Sequence, residues 1–359
     1  TCYRGRLLAS PRVTACAESG RLDRVTDRIP HEPRPPVLRR ILLVGATGTI
    51  GLATVRALVA RGHEVVCLVR RSTPADVLDG LTGAEVRFGD VTDPGSVAQD
   101  GFRGERFDTV VSCLASRTGA PRDAWAIDHD AHLVLLEAAK AAGIEHFVLL
   151  SAICVQKPLL AFQHAKLAFE RALTGSGMAY SIVRPTAFFK SLSGQVARVQ
   201  RGKPWLLFGD GRLTACKPIS DADLAAYLAA CVDDEALRGR VLPIGGPGPA
   251  ITPREQGDML FALLGQTPRF RSVPVRLLDA VIAVLAGLGR FSPRLADKAE
   301  LARIGRYYAT ESMLVLDPGS GRYDAEATPS TGSDTLADHY AKLLRGEATA
   351  GLGDHAVLA

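Results

Sequence analysis

The chain has 359 residues, 47% of them hydrophobic and 23% charged, enough for one large α/β domain or two modest ones with a sizeable core. A net charge of +5 over that length, with 6% aromatic residues and no basic–aromatic stripe, gives no case for nucleic-acid binding. No run of about 20 apolar residues exists to span a bilayer, so no transmembrane helix is expected.

Residues 1–37 are rich in Arg and Pro, lack periodicity and end in the Pro-dense stretch Pro30 to Pro36. They read as a disordered N-terminal extension. An Arg-rich leader can serve as a transit peptide, but Glu18, Asp23, Asp27 and Glu32 are residues such leaders avoid. From Arg40 short apolar runs alternate with amphipathic segments. Strands are predicted over 41–44, 65–69, 86–88, 109–114, 147–150 and 180–183. Helices are predicted over 48–61, 128–142 and 161–173. Alternation at this spacing predicts a parallel, doubly wound sheet covered on both faces, an α/β fold of the Rossmann type. The expected organisation is an NADP-binding core over 38–186, a mixed substrate-side region over 187–345 that completes the fold, and a flexible tail over 346–359. The longest apolar tract, Leu277–Leu288, is too short to cross a membrane and reads as a packed helix, with a membrane-surface or substrate-facing helix as alternatives.

Gly45-Ala-Thr47-Gly48-Thr49-Ile50-Gly51 follows the first strand and opens the first helix. Glycines there permit a tight turn and let backbone N–H groups approach a pyrophosphate at a helix N-terminus. About 20 residues on, an NAD-specific protein places an acid for the ribose hydroxyls; this chain places Arg70 and Arg71, which suit a 2′-phosphate. NADPH is therefore the expected cofactor. Asp90 and Val91, closing the third strand, are placed at the adenine, with a plain turn Asp as the alternative. Leu114, Ala115 and Ser116 end the fourth strand under the expected cofactor. Ser151 ends the fifth, and Pro185-Thr186 ends the sixth; all are assigned to the cofactor site.

Lys166, on the helix after the fifth strand, is the expected catalytic residue. Its ammonium suits the nicotinamide ribose hydroxyls and adds positive charge near the hydride path. Four residues earlier, where a short-chain dehydrogenase carries Tyr, stands Phe162, which has no proton to give. Carbonyl reduction needs that proton at once; reduction of a conjugated C=C spreads the charge and does not. Tyr307 and Tyr308 are alternative acids, with core packing as their commoner fate. His164 is read as peripheral. Phe188, Phe189, Lys190 and the run Trp205–Phe208 are candidate contacts for a flat apolar substrate, with core packing equally open. The seven cysteines are irregularly spaced with no C-x-x-C, which predicts buried thiols and no metal site.

The strings from Phe147 to Leu160, Phe162-Gln-His-Ala-Lys166, Tyr180 to Leu192, Phe208-Gly-Asp-Gly211, Cys216 to Ser220, Leu242 to Pro247 and Glu311 to Pro318 carry a closer likeness. They resemble the NADPH-dependent 3,8-divinyl (proto)chlorophyllide 8-vinyl reductases, an atypical short-chain dehydrogenase family that also looks to carry Phe for Tyr. The resemblance runs from about Ile41 to Leu344. It implies hydride transfer from NADPH to the C8 vinyl group of a magnesium tetrapyrrole, divinyl chlorophyllide or protochlorophyllide. Peripheral membrane association stays open, since such a pigment is poorly soluble. Plant members look longer between the second and third strands, so the expected setting is the cytoplasm of a photosynthetic bacterium. The alternative is the chloroplast, if the extension is a transit peptide. Competing activities are reduction of another conjugated C=C by an isoflavone-reductase-like enzyme, and a non-catalytic NADP-sensing protein of the same fold.

Overall fold

Ile41, Leu42, Leu43 and Val44 expose no surface. A run apolar on both sides of its pleat belongs at the centre of a sheet covered on both faces. Strand β1 (Arg40–Val44) lies there in the computed structural model, which describes residues 37–348. The expected extension, apart from Val37, and the tail beyond Ala348 lie outside the described residues.

The chain continues through α1 (Thr49–Ala60), β2 (Glu64–Val69), β3 (Glu85–Phe88), β4 (Thr109–Ser112), α2 (Ala131–Ala141), β5 (His146–Leu150), α3 (Ala161–Thr174) and β6 (Ala179–Pro185). Then come β7 (Trp205–Phe208), α4 (Asp221–Asp233), β8 (Arg240–Ile244) and β9 (Phe270–Val273). The main sheet runs β3-β2-β1-β4-β5-β6-β8, parallel throughout. Chain direction across the sheet reverses between β1 and β4, the switch point at which open α/β sheets bind ligands beyond their strand C-termini. The segment after residue 186 thus supplies both the seventh strand and the helix α4.

Two apolar layers hold the sheet. On one face Val55 and Leu58 of α1 join Leu224, Leu228, Cys231 and Val232 of α4. On the other Leu135, Leu136 and Ala139 of α2 join Phe169 and Leu173 of α3. Beyond the sheet, β7 pairs in parallel with β9 over a separate cluster containing Phe189, Trp205, Leu207, Phe261 and Tyr340.

One expectation changes. The helix predicted from Asp128 begins as α2 only at Ala131, because Trp125–Asp130 forms a π-helical turn that carries Asp128 inward. The tract Leu277–Leu288 is helical, as α5 (Val275–Gly289), and packs on one side only, with none of its residues fully buried. It packs on α6 (Pro293–Thr310), which covers one side of the helix and leaves Leu277, Val281, Val284 and Leu288 exposed.

Candidate active site

The three glycines of the turn after β1 have different physical causes. Gly45 adopts φ +78°, and a Cβ there would meet the Cys113 carbonyl carbon at 2.5 Å. A Cβ on Gly51 would lie 2.0 Å from the Gly45 carbonyl oxygen, so glycine sets how closely α1 approaches β1. At Gly48 a Cβ would meet only ordinary contact, at 3.5 Å; the residue is exposed and leaves the approach to the helix open. Gly48 is the N-cap, no side chain caps the helix, and no acid stands in its first turn. Free N–H groups and the helix dipole at such an end favour an anion. Lys190, expected at a substrate, instead donates from Nζ to Thr49 Oγ1 at 2.9 Å and brings an ammonium to this turn.

At the outer edge of the sheet Arg70, Arg71, Ser72, Gly89, Asp90 and Ser96 line a cleft of about 570 Å³. Both guanidinium side chains are exposed. Asp90 Oδ1 accepts from Thr92 N at 2.8 Å and Thr92 Oγ1 at 2.7 Å. Those hydrogen bonds, with help from the Arg70 charge, hold its carboxyl below the usual range. Asp90 therefore builds the turn while standing in the cleft. Val91 packs against the core beside the same turn.

At the reacting end Lys166 Nζ lies 2.9 Å from Asp128 Oδ1. The Lys166 side chain is 11% exposed and that of Asp128 is wholly buried. Asp128 Oδ1 also accepts from Ser116 N at 3.2 Å, tying the loop after β4 to the pair, while Oδ2 is buried without a hydrogen-bond partner. Burying an ion pair gains little net stability, so this one points to a use. Leu114 N reaches Ser112 Oγ at 3.4 Å, and Ala115 is exposed between Leu114 and Ser116.

Beneath the pair His132 bonds on both nitrogens. Nδ1 lies 2.9 Å from the Ile127 carbonyl, an acceptor only, so Nδ1 carries the proton. Nε2, 2.8 Å from Ser112 Oγ, therefore accepts. Burial first, then the Lys166 charge, pushes this imidazole down to about 4, so it is neutral. Sequence reasoning missed Asp128 and His132. They stand four apart, on the stripe that continues through Leu135, Leu136 and Ala139. Polar residues on an apolar helix face were the legible signal.

Phe162 is half-buried and packs against the cluster of Ile153, Cys154 and Leu160, with Ile304, so an apolar ring occupies the place of the usual acid. Tyr307 is 3% exposed and donates to the Cys154 and Lys157 carbonyls at 3.0 and 3.1 Å; burial raises its pKa, and it is no acid for this site. Tyr308 is 45% exposed and stacks edge-on against Tyr307. Ser151 Oγ donates to Glu170 Oε1 at 2.5 Å, and Glu170 also pairs with Arg184. The Ser151 hydroxyl proton is thereby committed inside the fold, leaving its lone pairs. Pro185 and Thr186 are buried at the end of β6, where Thr186 Oγ1 bonds the Lys217 carbonyl. His164 is exposed, away from Lys166. Phe189, Trp205 and Leu207 are core residues, which settles their alternatives as packing. The five described cysteines are buried free thiols.

Residues 45–235 match the NAD(P)H-binding family model. The chloroplastic divinyl chlorophyllide a 8-vinyl-reductase of Zea mays is 48% identical over 367 residues, covering 99% of this chain and 90% of its own length. Its counterpart in Arabidopsis thaliana is 51% identical over 322 residues, 85% of this chain and 76% of its own. Among solved structures, an isoflavone reductase aligns with a TM-score of 0.62 at 18% identity, covering 86% of this chain and 100% of that one. At that identity the likeness is one of fold alone.

Proposed function

The chain belongs to the divinyl chlorophyllide a 8-vinyl-reductase family, and on that premise we propose how its residues reduce a C8 vinyl group to ethyl with NADPH. It is an oxidoreductase with an NAD(P)H-binding fold. The substrate is divinyl chlorophyllide a or divinyl protochlorophyllide a, a magnesium tetrapyrrole. The observation that carries the mechanism is a retained, buried Lys166–Asp128 pair, with a half-buried Phe162 packed on an apolar cluster one helical turn before Lys166.

The residues present fit a dinucleotide. The uncapped N-terminus of α1, the open side of Gly48 and the Lys190 ammonium suit the pyrophosphate. Arg70 and Arg71 suit a 2′-phosphate, which supports NADPH over NADH. Lys166 holds the nicotinamide ribose, and Asp128 positions Lys166, its unpaired Oδ2 supplying a buried acceptor for a hydroxyl. When bound, the cofactor supplies a hydride. Neutral His132 keeps a second positive charge away from Lys166, so one ammonium faces the developing negative charge. Phe162 offers no proton and no hydrogen bond, which suits a vinyl group with no carbonyl oxygen.

The chloroplastic names of the relatives support the plastid rather than a bacterial cytoplasm as the setting. Incubating the protein with divinyl chlorophyllide a and NADPH, followed by chromatography and mass measurement, tests the reading. A gain of two hydrogens at the C8 substituent is expected; no product from cofactor-loaded protein would sink it.

A further inference from the structure

Leu277, Val281, Val284 and Leu288 recur on α5 at spacings of four, three and four, and Phe291 follows three residues on. The first four form one helical stripe, and Phe291 lies in the turn just past the helix end. They are 55, 42, 61, 50 and 89% exposed. The opposite side, with Leu278, Ile282 and Leu285, is half-buried where α5 packs on α6. Gly289 lets α6 return closely, since a Cβ there would lie 3.0 Å from the Ala296 backbone, and Arg306 pairs with Asp279 across the hairpin. The hairpin is thus an ordered element with one uncovered apolar face, and such a face marks a binding surface.

The charge around it indicates the partner. Residues 269–303 hold seven Lys and Arg against three Asp and Glu, in a chain whose whole net charge is +5. Arg271, Arg276, Arg290, Arg294 and Lys298 lie on or next to this hairpin in sequence; all are exposed and none pairs with an acid among the described residues. A second copy docking face to face would bring these like charges together. Apolar side chains flanked by unpaired cations fit an anionic lipid surface, where the stripe enters the acyl boundary and the cations meet headgroups. No described helix is long and apolar enough to cross a membrane, so the contact is superficial.

We propose that α5 and the first turns of α6 dock this protein on anionic membrane. The far end of α6 reaches the reaction site through Ile304, packed with Phe162, and Tyr307, bonded to the Cys154 carbonyl. Docking there holds the site next to the phase in which an apolar pigment resides.

Flotation of the full chain with phosphatidylcholine vesicles, alone or mixed with phosphatidylglycerol, tests this. Binding to the mixed vesicles should exceed binding to phosphatidylcholine by about tenfold or more and fall with salt. The triple variant Val284→Gln, Leu288→Gln, Phe291→Gln should lose it, and Arg290→Gln, Arg294→Gln, Lys298→Gln should lose the preference for anionic lipid. Failure to float with either vesicle, equal flotation with both, or undiminished binding by the apolar variant overturns the proposal. So does a lipid-free dimer that the apolar variant disperses, which assigns the face to a second copy. Turnover of detergent-dispersed pigment should be unchanged in both variants, so failed docking is distinguishable from a failed reductase reading, in which the unmodified chain gives no product.

Discussion

Lys166 and Asp128 form an ion pair of 2.9 Å between a helix and a π-helical turn 38 positions apart in sequence, with the carboxylate wholly buried. A charge pair hidden this way gains little stability as a pair, yet each member depends on the other. Removing one leaves an uncompensated buried charge, at a cost of about 3–5 kcal/mol.

Asp128→Asn should therefore lower unfolding stability by about 3 kcal/mol and turnover by about a hundredfold. In Asp128→Asn, Lys166→Met most of the stability should return while activity stays lost. Denaturant unfolding and steady-state rates on both proteins check this; a double variant no more stable than the single one would break the coupling.

Lys166→Ala should cut kcat by about a hundredfold or more. If turnover survives with both kcat and KM unchanged, Lys166 has no part in the site.

Arg70→Gln with Arg71→Gln should weaken NADPH by about a hundredfold and NADH by less than about threefold, since charge-assisted bonds to a 2′-phosphate are lost only with NADPH. Titration of each cofactor by nicotinamide fluorescence separates the two. Equal losses would mean that the arginines do not read that phosphate.

Phe162→Tyr adds a hydroxyl to a half-buried ring packed on an apolar cluster and should cost at most about 1–3 kcal/mol of stability. Vinyl reduction should persist, and no ketone reduction should appear. A thermal melt and an assay with simple ketones give the two readouts; a new alcohol dehydrogenase activity would show that Phe162 alone had withheld it.

His146 is buried, its Nε2 is 3.0 Å from Ser181 Oγ and its Nδ1 has no partner. Burial first, then Arg238 and Arg39, pushes it down to about 3. The unfolded chain binds this proton near pH 6.5 and the folded one does not, so stability is present above that pH. It should fall by about 1.4 kcal/mol per pH unit as pH drops toward 3. His132 adds to the loss down to about 4. His146→Leu should flatten the curve of melting temperature against pH between 6.5 and 4; an unaltered slope assigns the acid loss to other groups.

Much of this molecule was readable along the chain because the signals are local. Ile41–Val44 had to be a central strand, since every side chain is apolar. Gly45 and Gly51 announced a phosphate turn because glycine alone tolerates the positive φ at the first and the close approach at the second. Arg70 and Arg71 could be placed by counting residues from that turn. The place of Asp128 on an apolar helix face was legible, but its pairing with Lys166 was not, because the two residues are 38 positions apart and meet only in the fold. Lys190 joins the turn at Thr49 only because the chain folds back across 141 positions.

The sequence by itself determined the parallel α/β sheet, the dinucleotide turn, the retained Lys166 and the missing acid at Phe162. Each is a residue type at a fixed offset from its own element. Tertiary structure alone decided what surrounds them: the carboxylate that holds Lys166, the Glu170 that occupies the Ser151 proton, and the bare face of α5. Burial and pairing depend on which segments meet, and residues distant in sequence meet only when the sheet closes.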